Sequence, residues 1–380
     1  AYKIEVADAG PTEGATAEEK VEVSAVSLLA SASVDSGAKV FKKCQACHSV
    51  EKGGANKVGP NLYNAVGGKI AMHDGFSYSE ALASKGGQWT YDDLDQFLKS
   101  PRDYAPGTKM TFAGLADIPA DLDDILALAS RLADAARAET LPRFRTGIAH
   151  DAKSDESPVT AADRAAERVM RGLIEAARPT DGIFGEEFGV TRPDADTVWI
   201  LDPIDGTKAF ITGAPVFGTL IGVVHKGHAV AGVMDGAATN DRWVGAIGHG
   251  TTFNDAPVQT RTDRAIGDAW LTATSPEMFA GGNKAKFDAL MDASGYTTFG
   301  GECQGYGQLA CGWIDMVCED TLAPYDYAAL IPIIEGAGGI ITDWAGAPLG
   351  FAPGADDKSH ALIAAGDATL HAAAVAILSA

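Results

Sequence analysis

The sequence predicts a multidomain chain, a small all-α domain followed by a layered α/β domain. Three observations carry that prediction. At 380 residues the chain exceeds the ~100–200 residues of a single domain. Its charge divides it into three pieces: residues 1–36 hold two lysines against seven acids, residues 37–119 hold ten basic against eight acidic residues, and residues 120–380 carry a net charge of −18. The patterning changes with the charge, from no periodicity to helical turns to alternating strand and helix signals.

The whole chain carries −21 at neutral pH. That balance excludes a nucleic-acid binder, which needs a basic surface. Five cysteines exclude a disulfide-dense scaffold. No apolar run approaches the ~18–20 residues of a membrane span; the candidate at Val26 to Ala32 is short and rich in Ser and Ala. Residues 1–34 read as a flexible acidic tether. The chain opens on Ala1 rather than Met, so a removed leader or a membrane tether upstream of Ala1 is expected.

The first domain, 35–119, contains Cys44-Gln45-Ala46-Cys47-His48. This C-x-x-C-H spacing is the attachment signature of c-type haem. Two thiols one helical turn apart reach the two vinyl groups, and the adjacent imidazole is held against the iron. A redox C-x-x-C would follow a strand, and none precedes Cys44. A zinc site would need a second ligand pair, and Cys303, Cys311 and Cys318 lie in another domain. Gly37, Val40 and Phe41 form an amphipathic turn running into Cys44. Downstream follow Val58-Gly59-Pro60-Asn61-Leu62-Tyr63, Phe76-Ser77-Tyr78, Trp89-Thr90 and Pro106-Gly107-Thr108-Lys109-Met110.

This ordering resembles class I cytochromes c, especially the alphaproteobacterial c2/c552-like group. The resemblance implies one covalent haem c on Cys44 and Cys47. It implies His48 and Met110 as axial ligands, Pro60 as the buttress of His48, and Tyr78 and Trp89 on the propionate side. Lys39, Lys42, Lys43, Lys57, Lys69, Lys85 and Lys109 resemble the basic ring that steers such carriers to acidic redox partner proteins.

The second domain, 120–380, carries a second chemistry. The apolar run Val198-Trp199-Ile200-Leu201 reads as a buried strand and leads into Asp202-Pro203-Ile204-Asp205-Gly206-Thr207. Two carboxylates on one kinked turn repel unless cations neutralise them. Gly185-Glu186-Glu187 precedes them, and Pro324-Tyr325-Asp326 follows, before a helix expected over Tyr327 to Gly336. Together these residues offer an all-oxygen site for a hard ion such as Mg²⁺. Gly206 and Thr207 open a helix whose backbone N–H groups can receive a phosphate.

This set resembles the inositol monophosphatase superfamily of Mg²⁺-dependent phosphatases. The resemblance implies an αβαβα sandwich, with strands at 197–202, 217–224 and 228–235. It implies two or three Mg²⁺ held by Glu186, Asp202, the Ile204 carbonyl, Asp205 and Asp326. Glu186 and Thr207 would orient the attacking water, Asp163 of Thr160-Ala161-Ala162-Asp163 would partner Thr207, and the Gly206 and Thr207 amides would hold phosphate. Lys153 matches a mobile loop. A homodimer through this domain is a further expectation.

Several segments resemble the histidinol-phosphate phosphatase branch: Ile211-Thr212-Gly213, Phe217-Gly218-Thr219-Leu220, Arg242-Trp243-Val244-Gly245, Thr274-Ser275-Pro276 and Gly300-Gly301-Glu302-Cys303. Lys208-Ala209-Phe210 departs from the Thr-Asn-Phe ending common in inositol phosphatases. Glu302 stands where the branch usually has Asp, and Gln304-Gly305 replaces its Tyr-Ala. Glu302 faces the leaving-group pocket by this resemblance, and Glu319 contacts the organic part of the substrate. The expected activity is therefore phosphate monoester hydrolysis, with L-histidinol phosphate as substrate. Inositol phosphatase activity, and an electron carrier with a passenger phosphatase, are the alternatives.

At the seam, Leu122, Ile125, Leu126, Ala129 and Leu132 form one apolar stripe. The expected helix over 120–136 is therefore either the first helix of the α/β domain or one shared with the cytochrome, whose aromatic position Leu128 would take. Haem attachment and the acidic tether favour the periplasmic face, whereas histidine biosynthesis would favour the cytoplasm.

Overall fold

Alternation along three long strands builds the centre of the α/β domain. The computed structural model describes residues 47–110, 121–147, 149–152, 158–351 and 360–380, with single positions 37, 41, 44, 45, 112, 114, 118 and 119. The acidic tether, Lys39, Lys42, Lys43 and Lys153 lie outside the described residues.

Among its described residues the small domain holds helices joined by turns and loops, with one isolated bridge, Lys69 to Gln88, and no strand. Helix α1 (Glu80–Ala83) is capped by Ser79. Helix α2 (Tyr91–Lys99) starts where the Thr90 hydroxyl accepts the Asp93 N–H at 3.0 Å, the local bond that Ser and Thr favour at helix starts. Helix α3 (Pro101–Tyr104) follows at once. Ile70, Leu82, Phe97 and Ala105 form its buried core, with Tyr78, Trp89, Tyr104 and Met110 packed around them.

Helix α4 (Leu122–Thr140) lies at the seam. Leu122, Ile125, Leu128, Ala129 and Leu132 are buried in one cluster with Trp199, Leu201, Ile221 and Val223 of the α/β sheet. The described core of the small domain contains no residue of α4.

Strands β1 (His150–Ala152) and β2 (Pro158–Thr160) form an antiparallel pair. Helix α5 (Ala161–Ala177) starts at a capping box: the Thr160 hydroxyl accepts the Ala162 N–H at 3.0 Å, and Asp163 Oδ2 accepts the Thr160 N–H at 2.8 Å. Then come β3 (Gly182–Gly185), β4 (Gly189–Thr191), β5 (Thr197–Asp205), helix α6 (Thr207–Thr212), β6 (Gly218–His225), β7 (His228–Gly236), β8 (Asp241–Ala246), β9 (Gly250–Phe253) and β10 (Ala256–Val258). They form an eight-stranded sheet of order β10-β9-β8-β7-β6-β5-β3-β4, antiparallel except for β3 against β5. The second half adds β11 (Trp270–Ala273), α7 (Gly281–Ala293), β12 (Tyr296–Phe299), α8 (Gln304–Ala310), β13 (Met316–Leu322), α9 (Pro324–Tyr327), α10 (Leu330–Gly336), β14 (Ile340–Asp343), β15 (His360–Ala365) and α11 (Ala368–Leu378). Its five strands run β12-β11-β13-β15-β14. The three expected strands are present, the first and third slightly longer and the second shifted by one residue. The helix expected over 327–336 is two helices, α9 and α10, broken around Ala328 and Ala329.

Successive side chains of a strand face opposite layers. Ile221, Val223 and Val233 meet α4 and α5, while Leu220 and Met234 meet α8 and α10. The far face of the smaller sheet packs Leu271, Met316 and Ile363 against Phe287, Leu290 and Leu370 of α7 and α11. The layers are therefore αβαβα.

The middle layer lies unusually close to the larger sheet. Gly222, Gly232 and Gly245 are register partners across β6, β7 and β8. A Cβ on Gly232 would lie 1.9 Å from the Ala329 carbonyl oxygen. The main chain leading into α10 thus rests on the main chain of the sheet, which fixes the Asp326 turn just before it. Gly232→Ala should force a backbone shift and cost about 3 kcal/mol, the upper end of overpacking. A lowered denaturation midpoint of the α/β domain, followed by tryptophan fluorescence, would show this. An unchanged midpoint would show that α10 does not touch the strand.

Candidate functional site

Strand parity would send the side chains of Asp202 and Asp205, three residues apart, to opposite faces. A register shift between them on β5 against β6 corrects this, the usual work of a bulge. Carboxylate oxygens of Asp202, Asp205 and Asp326 consequently lie within 4.8 Å of one another. Asp202 is 2% exposed, and the other two are half-buried. Main-chain donors hold each one. Ile204 N–H donates to Asp202 at 3.0 Å, Cys303 N–H to Asp205 at 2.8 Å, and Ala323 N–H to Asp326 at 2.7 Å.

Burial pushes Asp202 well above the usual carboxylate range, and the charges of Glu186, Asp205 and Asp326 push it further. Burial does the same to Asp205, with Glu302 and Asp326 beside it. Glu186 follows β3 and its N–H donates to the Leu201 carbonyl at 3.1 Å, which places it next to Asp202. Buried carboxylates at this density call for a cation. The donors are all oxygen, the set a hard divalent ion selects.

Gly206 holds a left-handed φ of 78° at the turn into α6. The Thr207 hydroxyl lies 3.4 Å from Asp163 Oδ1 and 3.1 Å from the Ile204 carbonyl. That carbonyl keeps a second lone pair for another partner. Asp163 is fully buried. Burial raises its pKa, and the nearby Glu186 raises it further.

Glu302 and Glu319 form a second acidic pair beside the cluster. Glu302 has a φ of 44°; burial raises its pKa, and Lys208 and Thr274 oppose the rise. Glu319 on β13 is 4% exposed. It accepts the Thr274 hydroxyl at 2.5 Å, the Thr274 N–H at 3.2 Å and the Tyr306 hydroxyl at 2.8 Å. Sequence reasoning did not assign roles to Thr274, Tyr306 or the Cys303 N–H. The Thr-Ser-Pro segment stands out in the sequence, but its contact with Glu319 does not.

In the small domain, the Cys47 and His48 N–H groups donate to the Cys44 carbonyl at 3.1 and 2.9 Å, so C-x-x-C-H closes one turn. His48 Nδ1 lies 2.7 Å from the Pro60 carbonyl. A carbonyl only accepts, so Nδ1 carries the proton and Nε2 keeps its lone pair for a metal. A Cβ on Gly59 would lie 2.3 Å from His48 Cε1, so the ring fits against bare backbone. Neither thiol is in a disulfide. These residues fit a haem attached through Cys44 and Cys47. Met110 packs with Tyr78 and Trp89 at the edge of the small core. Trp89 stacks on Tyr104 with ring centroids 5.8 Å apart.

The fold and site define a phosphatase preceded by a cytochrome. The inositol monophosphatase family model matches residues 121–379 and the cytochrome c model residues 34–128; the chain belongs to the inositol monophosphatase family and carries a cytochrome c domain. The two matches overlap on the first turns of α4. An inositol monophosphatase structure from Zymomonas mobilis is 44% identical with a TM-score of 0.62, covering 69% of this chain and 100% of that one. A histidinol-phosphatase from Chlorobaculum parvum is 35% identical over 223 residues, 58% of this chain and 86% of its own length. A cytochrome c homolog from Bradyrhizobium diazoefficiens is 46% identical over 123 residues, 32% of this chain; the chain spans 63% of that cytochrome's length. Family membership implies haem c in the first domain and a divalent metal in the second. No described helix is long and apolar enough to cross a membrane.

Burial lifts Glu319 from 4.5 to about 7. A carboxyl whose pKa rises on folding holds its proton more tightly in the folded state, so stability is lost as pH climbs from about 4.5 to 7. Glu319→Gln should remove that loss. Its stability relative to the parent should improve by up to about 3 kcal/mol across this window, at 1.36 kcal/mol per pKa unit. Parallel stability–pH curves for the two proteins would refute the shift.

Proposed function

We propose that the α/β domain hydrolyses L-histidinol phosphate with Mg²⁺, and that the first domain is a haem c electron carrier. The convergence of Asp202, Asp205 and Asp326 beside the Thr207–Asp163 pair is the observation that carries phosphoester hydrolysis. The acidic pair Glu302 and Glu319 supports the substrate, because histidinol is cationic and inositol is not. The histidinol-phosphatase relative supports the same choice.

Glu186, Asp202, Asp205, Asp326 and the Ile204 carbonyl would hold two or three Mg²⁺, which offset phosphate charge and acidify water when bound. The chain's own groups do the rest. Glu186 and the Thr207 hydroxyl orient the attacking water. Asp163 accepts from Thr207 and fixes that hydroxyl's direction. The Gly206 and Thr207 amides receive phosphate oxygens. Water forms a bond to phosphorus as the ester P–O bond breaks, leaving inorganic phosphate and the alcohol. Glu302 and Glu319 orient the organic part.

In the carrier domain, Cys44 and Cys47 would anchor one haem, with His48 and Met110 as its axial ligands and Pro60 setting the His48 tautomer. Tyr78 and Trp89 would lie on the propionate side. Acidic redox proteins would dock on its lysines. The periplasmic face, a tether to the membrane and a homodimer through the phosphatase domain complete the proposal.

Asp202→Asn should slow hydrolysis at least a hundredfold at saturating Mg²⁺, about 2.7 kcal/mol of barrier. Turnover at the parent rate would remove Asp202 from the site. L-histidinol phosphate should exceed inositol monophosphate in kcat/KM by roughly two orders of magnitude, since unpaired buried polar groups penalise the wrong substrate. A preference for inositol monophosphate would keep the chemistry and overturn the substrate.

Met110→Ala should lower the haem potential, because a Met ligand raises it. An unchanged optical spectrum and potential would show that Met110 is not a ligand.

A further inference from the structure

The turn that presents Glu186 is held from beneath by a side chain outside the site described so far. Glu167 lies on α5, one helical turn after Asp163, and is fully buried. Its carboxylate accepts the Glu187 N–H at 2.7 Å and the Phe188 N–H at 3.2 Å. A Cβ on Gly185 would lie 1.9 Å from Glu167 Oε1, so the main chain of this turn is pressed onto the carboxylate. On its other side Glu167 accepts Arg171 Nε at 2.7 Å. Arg171 continues to the Thr191 hydroxyl at 3.1 Å and to the Gly189 carbonyl of the following strand. One face of α5 therefore carries two buried acids. Asp163 meets the Thr207 hydroxyl, and Glu167 meets the backbone of residues 185–188.

We infer that Glu167 is a positioning residue: it sets the backbone turn that aims Glu186 at the carboxylate cluster. The geometry favours this over simple core packing. Packing needs an apolar side chain of similar volume, whereas two convergent N–H groups from one turn need an acceptor of fixed direction. Arg171 neutralises the buried charge, which keeps Glu167 an acceptor without competing for the ion. The inference rests on the reading of Glu186 as a ligand and water-orienting group.

The test uses the full chain with Glu167→Gln, Glu186→Gln and the double variant. Mn²⁺ binding is measured by EPR on metal-free protein, with Mg²⁺ activation of phosphate ester hydrolysis in parallel. Glu167→Gln should weaken Mn²⁺ binding and raise the half-activating Mg²⁺ concentration about tenfold, with substrate KM within twofold. The double variant should bind Mn²⁺ no worse than Glu186→Gln alone, because both act through the same turn. If Glu186→Gln is impaired while Glu167→Gln binds and activates like the parent, the positioning role is wrong and the site reading survives. If the two single variants add fully in the double, Glu167 acts elsewhere and the inference fails. Parent-like Glu186→Gln would overturn the site reading itself. Should Glu167→Gln fold poorly, Glu167→Gln with Arg171→Gln removes the unpaired charge; parent-like Mn²⁺ binding in that protein would overturn the proposal.

Discussion

Buried carboxylates that face one another repel, and the α/β domain is arranged to hold them together despite that. Main-chain donors do this work at Asp202, Asp205 and Asp326. Each is gripped by a backbone N–H, at Ile204, Cys303 and Ala323 respectively. Three separate stretches of chain supply those donors: the end of β5, the turn before α8 and the turn before α9. The sheets, the middle helices and the bulge on β5 all serve to bring these turns to one place. The repulsion among these buried carboxylates is what an added cation would relieve, so affinity for the ion and the crowding of the turns have a common source.

The small domain solves a different problem with similar economy. A single hydrogen bond from His48 to the Pro60 carbonyl selects the tautomer, and the bare backbone at Gly59 admits the ring. The imidazole is thus oriented by main chain before any iron arrives. The aromatic group of Trp89, Phe97 and Tyr104 supplies the rest of a modest core.

Both chemistries were legible in the sequence because each is written in short motifs. C-x-x-C-H, Gly-Glu-Glu, Asp-Pro-x-Asp-Gly-Thr and Pro-Tyr-Asp all place their reactive groups within a few residues. What was not legible depends on long-range geometry. The bulge that turns Asp202 and Asp205 to one side is signalled only by Pro203, and the sequence reads that stretch as a kinked turn after the strand rather than as part of β5. Glu319 looks like any strand-borne acid until Thr274 and Tyr306 close on it. Glu167 escaped for a further reason: apart from Arg171, its partners are the Glu187 and Phe188 N–H groups, and every residue but proline offers such a donor. The seam helix was ambiguous because one apolar stripe suits either neighbour. Among the described residues, Leu122, Ile125, Leu128, Ala129 and Leu132 are buried with the strands of the larger sheet.

The glycine row beneath α10 separates what can drift from what cannot. Contact there is made by main-chain atoms on both sides, so exchanging side chains on the helix barely moves it. The turn bearing Asp326 inherits that indifference. Glu302 and Glu319, in contrast, stand on segments whose placement depends on side-chain partners such as Thr274 and Tyr306. Descendants of this domain could therefore exchange one leaving group for another through a few changes around β13 and α8, while the distance from Asp326 to Asp202 and Asp205 stays constant.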